Sequence, residues 1–156
     1  MMDERLNIER GAGHRRADPG RRGVIRRVTV PTVPDADLSA NSRAHYMVKA
    51  RKVSALRETA GWAALSGAPS EPIEGPVSVR AEICWPKFRK RQDRTNVEHC
   101  LKAIIDGMTD AGWWRDDRLV TIERPIVQQT WGEWGQIGGA SYPAGCVVID
   151  VEEDAA

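Results

Sequence analysis

Carboxylates stand at both ends of one polar stretch in the second half of the chain. Asp93 precedes the stretch, and the adjacent pair Asp116 and Asp117 follows it. If these groups converge in the folded chain, their mutual repulsion favours protonation of some of them unless a cation is present. Oxygen ligands in a small cluster are typical of Mg²⁺ or Mn²⁺ rather than of zinc. The spacing therefore indicates a hard-metal site, with a solvated charged loop as the simpler alternative.

A strongly basic run lies directly before the first of these carboxylates. It consists of Lys87, Arg89, Lys90 and Arg91. Beside a metal site, such a run favours a phosphodiester substrate, because a metal ion polarises a phosphoryl oxygen and lowers the pKa of an attacking water. A nearby lysine could stabilise the charge that develops on the phosphorus centre or on the leaving oxygen.

The stretch between the carboxylates predicts an amphipathic helix over about 96–111. At about 100° per residue, the apolar side chains share one side of this helix. They are Val97, Cys100, Leu101, Ile104, Ile105 and Met108. The opposite side carries Asn96, His99, Lys102, Asp106 and Asp110. Short polar side chains hold a fixed geometry at low entropic cost, so this side is either a wall of a site or a solvated face.

The elements around this helix predict an α+β fold of order β-α-β-α-β-β, with a small mixed sheet and two main helices. The predicted strands cover 24–33, 76–85, 120–129 and 146–152. A first helix is expected over about 42–65, with Asp37, Ser39 or Asn41 as its N-cap. The long loop before the last strand carries Trp131, Trp134 and Tyr142. These aromatic groups suit either stacking on unpaired nucleic-acid bases or a contact with a second subunit.

The domain organisation predicted from composition is simple. Residues 1–23 are expected to be a disordered basic arm, residues 24–152 a single domain, and residues 153–156 an acidic tail. No apolar run approaches the roughly 20 residues that span a bilayer, and no signal peptide is recognisable, so we expect no membrane contact and a cytoplasmic location, bacterial or in a host cell. The three cysteines, Cys84, Cys100 and Cys146, are expected to be buried and reduced.

The net charge of +1 conceals two halves of opposite sign. Residues 1–94 contain 19 Lys and Arg against 11 Asp and Glu, whereas residues 95–156 contain 4 against 11. This division suits a polyanion-binding protein with a metal pocket. It equally suits a dimer whose two surfaces attract each other, so that charge alone does not decide between the two.

The run DRTNVEHCLKAIIDGMTDAGWWRDD, residues 93–117, resembles the RusA family of Holliday junction resolvases, especially its phage and actinobacterial branch. The family pattern passes from Asp through Asn to Lys-Ala-x-x-Asp-Gly, then to Asp-Ala-Gly and Asp-Asp. The matching positions here are Asp93, Asn96, Lys102 to Gly107, Asp110 to Gly112, and Asp116 with Asp117. A weaker likeness lies in LSANSRAHYMVKARKV, residues 38–53, and the whole resemblance covers roughly 24–152.

This resemblance implies a small homodimeric endonuclease that makes paired nicks in four-way DNA junctions, using Mg²⁺ or Mn²⁺ and no small-molecule cofactor. It implies that Asp93 and Asp117 are catalytic metal ligands and that Lys102 is the catalytic lysine. Asp106 and Asp116 are further candidate ligands. The candidate DNA-binding residues are Asn41, Arg43, Lys49, Arg51, Lys52, Lys87, Arg89, Lys90, Arg91 and Asn96.

One departure from the family pattern concerns the metal shell. Thr95 stands where the best-known members have a second aspartate, so that Asp106, Asp116 or Glu98 would have to complete the shell. Two alternatives to the nuclease therefore stay open. The first is a DNA-binding module of the same fold that has lost cleavage. The second is a non-enzymatic assembly protein, in which the acidic and basic halves pair between subunits.

Overall fold

Two helices and a mixed sheet account for most of the residues in the computed structural model. The model describes residues 24–39, 42–86, 94–130, 136–137 and 140–154, with side chains except at 94–96, 130, 136–137 and 140. The helices are α1 (Tyr46–Leu65) and α2 (Arg94–Asp110). The strands are β1 (Ile25–Val30), β2 (Val77–Trp85), β3 (Val120–Ile122), β4 (Val127–Thr130), β5 (Gln136–Ile137), β6 (Ala140–Ser141) and β7 (Cys146–Glu153). The predicted α+β class is confirmed.

The sheet is mixed, as predicted, and β2 lies at its centre. Strand β7 pairs antiparallel with both β1 and β2, while β3 and β4 pair parallel with the other edge of β2. The prediction of one strand over 120–129 is wrong, because the strand is interrupted between Ile122 and Val127. Pro125 lies in this interruption and has no N–H to donate to a ladder. Both halves nevertheless follow the same edge of β2.

The core lies between one face of the sheet and the two helices. Alternate residues of β2 point into it, and each of Val77, Val79, Ala81, Ile83 and Trp85 is at most 1% exposed. All six apolar side chains predicted for the inner side of α2 are buried. The apolar side chains of β2, which alternate along the strand, thus pack against those of α2, which recur with the helical period of 3.6 residues, in a single apolar cluster. Burying one such side chain contributes about 1.5–3 kcal/mol, which fixes the orientation of α2 about its axis.

The first helix begins later than predicted. It starts at Tyr46 and not near residue 42, and its N-cap is His45, whose Nδ1 accepts a hydrogen bond from the Met47 N–H at 3.2 Å. The predicted caps Asp37 and Ser39 are wrong, since they lie within or just after a separate 3-10 helix, Ala36–Leu38. The third predicted cap, Asn41, lies outside the described residues.

The two helices cross where a glycine of one faces a glycine of the other. A Cβ atom on Gly107 would lie 2.3 Å from the Arg57 carbonyl oxygen and 2.9 Å from the Gly61 nitrogen, so only glycine permits this approach. One turn farther along α2, Arg57 donates two hydrogen bonds to the Asp110 carboxylate, at 2.6 and 2.8 Å. Asp110, predicted on the polar side of α2, therefore joins the two helices.

The region before β7 contains a short hairpin, β5–β6, where the sequence predicts a loop. Trp131 and Trp134 lie outside the described residues, as does the predicted basic arm 1–23. Tyr142 is half-buried and packs against Cys84, Cys146 and Val148, a small cluster separate from the main core. All three cysteines are buried and form no disulfide bond, as predicted. Neither described helix is long and apolar enough to cross a membrane.

Candidate active site

The chain leaves α2 through a glycine turn. Gly112 has a φ of +83°, a conformation that favours glycine. Its N–H donates to the Thr109 carbonyl at 3.0 Å, and the Trp113 N–H donates to the Met108 carbonyl at 3.2 Å. These two bonds form a Schellman motif, which satisfies carbonyls that the end of a helix leaves without partners. The turn ends α2 at Asp110 and directs the next residues back into the core.

Trp113 and Trp114 anchor the segment that follows. They are 0% and 2% exposed, so they belong to the core and offer no surface for base stacking. The Trp113 Nε1–H donates to the Ala64 carbonyl at 2.9 Å, near the C-terminal end of α1. The Trp114 Nε1–H donates to the Thr109 hydroxyl at 2.7 Å, on α2. The following carboxylates are thereby held at a fixed place relative to both helices.

Asp116 and Asp117 point to different partners. Asp116 is extended, with φ −143° and ψ 133°, and its carboxylate accepts the Arg118 N–H at 2.9 Å. It thereby caps a short 3-10 helix, Asp117–Leu119. The Asp117 carboxylate instead accepts a hydrogen bond from the Lys102 ammonium of α2. Of the two carboxylates, Asp117 is the one that bonds to α2.

Three side chains meet at this point, and we call Lys102, Asp106 and Asp117 the lysine–carboxylate cluster. The Lys102 Nζ donates to Asp106 Oδ1 at 2.8 Å, between residues one helical turn apart, and also to Asp117 Oδ2. The side chain of Lys102 is 62% exposed, and those of Asp106 and Asp117 are 27% and 37% exposed. The cluster is therefore open to a substrate as large as a nucleic acid.

Hydrogen bonding and charge fix the protonation states of the cluster. The hydrogen bond to Asp106, followed by the one to Asp117, raises the pKa of Lys102 above its ordinary value. The hydrogen bond from Lys102 lowers the pKa of Asp117 below its ordinary value. At neutral pH, Lys102 is an ammonium and Asp117 a carboxylate. The lysine is thus suited to stabilising negative charge and not to accepting a proton as a general base.

The cluster offers two of the four predicted metal ligands. Asp106 and Asp117 direct carboxylate oxygens towards one positive group, and an oxygen donor set suits Mg²⁺ or Mn²⁺. Mg²⁺ commonly takes one or two protein carboxylates and completes its shell with water and substrate phosphates, so these residues fit it. Within the described ranges, no group of three or more acidic, histidine or cysteine side chains could hold a metal ion.

The other candidates for the metal shell are differently placed. Asp93 lies outside the described residues, and the side chain of Thr95 is not described. Glu98, on α2, pairs with Arg124 at 3.1 Å. Asp116 caps the 3-10 helix. Among the side chains that the structure places, Asp106 and Asp117 alone converge on Lys102.

The predicted DNA-binding residues differ in their contacts and exposure. Lys52 donates to Asp35 Oδ1 at 2.8 Å and to Asp37 Oδ2 at 2.5 Å. Lys49 donates to the Ser42 carbonyl at 2.7 Å. Arg43 and Arg51 are exposed. Asn41, Lys87, Arg89, Lys90 and Arg91 lie outside the described residues, and the side chain of Asn96 is not described.

One exposed cation beside the cluster was missed at the sequence level. The side chain of Arg118 is 89% exposed, and it directly follows Asp117 in the chain. Its Nε lies 3.7 Å from Asp116 Oδ2, too far for a hydrogen bond. Its position directly after the paired aspartates is the one feature of the sequence that could have indicated a cation beside the cluster.

Comparison with known protein families identifies a relationship. A family model described as endodeoxyribonuclease RusA matches residues 30–136. The matched range begins at the last residue of β1, contains both helices, and includes every member of the lysine–carboxylate cluster. A comparison with individual curated proteins gives no match.

Proposed function

The chain belongs to the RusA endodeoxyribonuclease family, and from this membership we propose that it is a metal-dependent nuclease that resolves four-way DNA junctions by paired cuts. The family acts on branched DNA junctions. The observation that carries the proposal is the lysine–carboxylate cluster, in which a charged lysine and two carboxylates meet on an exposed surface.

Asp106 and Asp117, together with Asp93, are the proposed ligands of Mg²⁺ or Mn²⁺. When bound, the ion would polarise a phosphoryl oxygen and activate a water for attack. We assign Asp116 a positioning role, because its carboxylate caps the 3-10 helix that begins with Asp117. The Trp113 and Trp114 anchors support the same turn from the core side.

Lys102 is the proposed electrostatic catalyst. Its ammonium is held protonated by its two carboxylate partners, and its side chain is exposed enough to reach a phosphate. We propose that it exchanges one carboxylate contact for a non-bridging phosphate oxygen. There its positive charge would stabilise the negative charge that builds up as the phosphodiester is attacked. Two copies of the chain are needed for two cuts, and a two-fold dimer matches the symmetry of a four-way junction.

A second candidate function is a junction-binding module of the same fold without cleavage. Thr95 favours it, since a hydroxyl at this position replaces a carboxylate of the best-known family members. The two candidates make the same prediction for junction binding. They differ in whether a divalent ion produces cuts.

A cleavage assay on a labelled four-way junction, with linear duplex as competitor, separates the two functions. We expect paired symmetric nicks with Mg²⁺ or Mn²⁺, none with EDTA, and none with Asp117→Asn. The matched control is Glu71→Gln, which removes an exposed carboxylate from the loop before β2 and should cut like the wild type. Selective junction binding without nicks under all metal conditions would establish the non-cleaving module. Equal binding of junction and duplex would reject both functions.

A further inference from the structure

Two of the three cysteines face each other in the sheet, and we call them the cysteine pair. Cys84 of β2 and Cys146 of β7 are directly opposite in the antiparallel register. Their neighbours Ile83 and Val147 belong to the main core, and successive side chains of a strand point to opposite faces. Both thiols therefore point to the face of the sheet away from the helices. There they are fully buried and pack against Tyr142, in a cluster separate from the main core.

The backbone geometry of the cysteine pair permits a disulfide bond. Directly opposite residues of antiparallel strands have Cα atoms about 4.5 or 5.5 Å apart, according to their place in the ladder, and a disulfide joins Cα atoms about 4.4–6.8 Å apart. Neither β2 nor β7 has to move for the bond to form. The chain that enters β7 is also packed closely on Cys84, since a Cβ atom on Gly145 would lie 2.5 Å from the Cys84 carbonyl oxygen.

The two thiols of the pair differ in reactivity. The hydrogen bond between them raises the pKa of Cys84, and burial acts in the same direction. The same hydrogen bond lowers the pKa of Cys146 below that of an ordinary cysteine thiol. Because the thiolate is the nucleophilic form of cysteine, the Cys146 sulfur is suited to attack, and the Cys84 thiol is suited to donate a proton.

The surroundings of the pair differ from those of the third cysteine. The Gln129 amide of β4 donates to Cys84 Sγ at 3.9 Å and also to the Glu82 carboxylate, on the same face of the sheet. Cys100 lies in the main core on α2, where burial raises its pKa to about 11. It is a packing thiol on the other side of the sheet, and the cysteine pair can be compared with it within one chain.

We propose that the cysteine pair is a modification site, at which hydrogen peroxide forms a reversible disulfide bond between β2 and β7. The burial of both sulfur atoms restricts the oxidant to a small molecule, one that can pass beside the half-buried ring of Tyr142. The site is separate from the lysine–carboxylate cluster, so its argument does not depend on the proposed nuclease function.

The reaction uses both sulfur atoms in turn. The Cys146 thiolate attacks one oxygen of the peroxide, so that an S–O bond forms, the O–O bond breaks and hydroxide leaves. The Cys84 sulfur then attacks the sulfur of this sulfenic acid. The S–S bond forms, the S–O bond breaks, and the departing hydroxide takes the Cys84 proton. With the proton first lost by Cys146, the peroxide becomes two molecules of water, and a dithiol reductant returns the two electrons and two protons.

Peptide mapping of the oxidised full chain provides the test. The reduced protein is treated with hydrogen peroxide in EDTA, its remaining thiols are alkylated in denaturant, and its peptides are identified by mass spectrometry. We expect one disulfide, between Cys84 and Cys146 of the same chain, formed at least about tenfold faster than Cys100 is oxidised, because the thiolate is the form that attacks peroxide. Dithiothreitol should restore both thiols.

Two alanine variants provide matched controls. Cys100→Ala removes the thiol of the main core and should form the same disulfide as the wild type, whereas Cys146→Ala should form none. The wild-type measurement stands without either variant, since Cys100 is its internal control. Thiols of the pair that stay reduced in the folded chain, under conditions that oxidise them in urea, would overturn the proposal. A disulfide through Cys100, or one that joins two chains, would also overturn it.

Discussion

Two lysines of this molecule each bridge two aspartates, yet they belong to regions of different character. Lys52 of α1 contacts Asp35 and Asp37, and Lys102 of α2 contacts Asp106 and Asp117. Hydrogen bonds to the carboxylates raise the pKa of both lysines. The Lys52 side chain is 34% exposed and that of Lys102 62%. The same local chemistry therefore serves two different surfaces.

The difference lies in what each bridge is attached to. Lys52 ties α1 to the 3-10 helix that precedes it, so its bridge closes a local connection within the fold. Lys102 instead joins α2 to a turn that is anchored by two buried tryptophans. Two carboxylates around a lysine are thus no evidence of a site by themselves. The anchoring of the turn and the greater exposure of the Lys102 side chain distinguish the second bridge.

The largest expected effect is on the rate of DNA cleavage, which should depend on the Lys102 bridge and not on the Lys52 bridge. Lys102→Gln should lower cleavage of a four-way junction by about 100-fold or more, because it removes a positive charge directed at developing negative charge. Lys52→Gln makes the same change at the other bridge and should leave the rate within about threefold. The measurement is the single-turnover cleavage rate at saturating protein. Equal losses in the two variants would remove the distinction between the bridges.

The second prediction concerns Trp113 and Trp114, which anchor the turn that carries Asp117. Trp113→Phe should lower the free energy of unfolding by about 2–3 kcal/mol, since it leaves the Ala64 carbonyl without its partner and opens space in the core. Trp114→Phe should cost less, because the Thr109 hydroxyl keeps its bond to the Ile105 carbonyl at 2.9 Å. Urea unfolding of both variants provides the comparison. A larger loss for Trp114→Phe would contradict the assigned role of Trp113.

The contact between the two helices predicts a somewhat smaller effect. Gly107→Ala places a Cβ 2.3 Å from the Arg57 carbonyl oxygen, whereas Gly61→Ala places one 3.3 Å from the Gly107 carbonyl oxygen. We expect Gly107→Ala to destabilise the fold by about 1–3 kcal/mol, in the range of an overpacked core, and Gly61→Ala to cost clearly less. Urea midpoints measure both. Gly107→Ala should also slow cleavage, because Asp106 is its neighbour on α2.

The sequence predicts α2 well, and the reason is physical. Its apolar residues recur at helical spacing over about three turns, so one orientation buries all of them, and that orientation fixes where Lys102 and Asp106 point. The alternation of β2 is equally informative, because only one face of the strand is apolar. Composition and periodicity therefore gave the fold class and the placement of the α2 residues of the cluster.

Features that depend on distant residues were not predictable in the same way. The partners of Lys52 and Asp110 come from other elements, and no local pattern reveals them. The start of α1 was misplaced, because several N-cap residues precede it and His45 caps it instead. A single strand was predicted across Pro125. A proline near a sheet edge interrupts a strand, but the residues on both sides of it keep the apolar character of a strand.

The smallest effect tests the electrostatic account of the lysine–carboxylate cluster. The hydrogen bond from Lys102 lowers the pKa of Asp117 in the folded protein, so this pair contributes stability above the ordinary aspartate pKa and loses it as the pH falls through the lowered value. Because Lys102 has a raised pKa, its own contribution is complete below the ordinary lysine pKa and is lost as the pH rises through the raised value. At neutral pH both contributions are present.

Lys102→Gln should therefore raise the titration midpoint of the Asp117 carboxyl towards the ordinary aspartate value. The measurement is the carboxyl carbon chemical shift against pH, in EDTA, for the wild type and the variant. Lys52→Gln is the matched control and should leave the Asp117 midpoint unchanged, since Lys52 contacts Asp35 and Asp37 instead. An Asp117 midpoint that does not respond to Lys102→Gln would mean that the lysine does not hold this carboxylate in solution. The cluster would then lack the fixed ammonium on which the proposed catalysis depends.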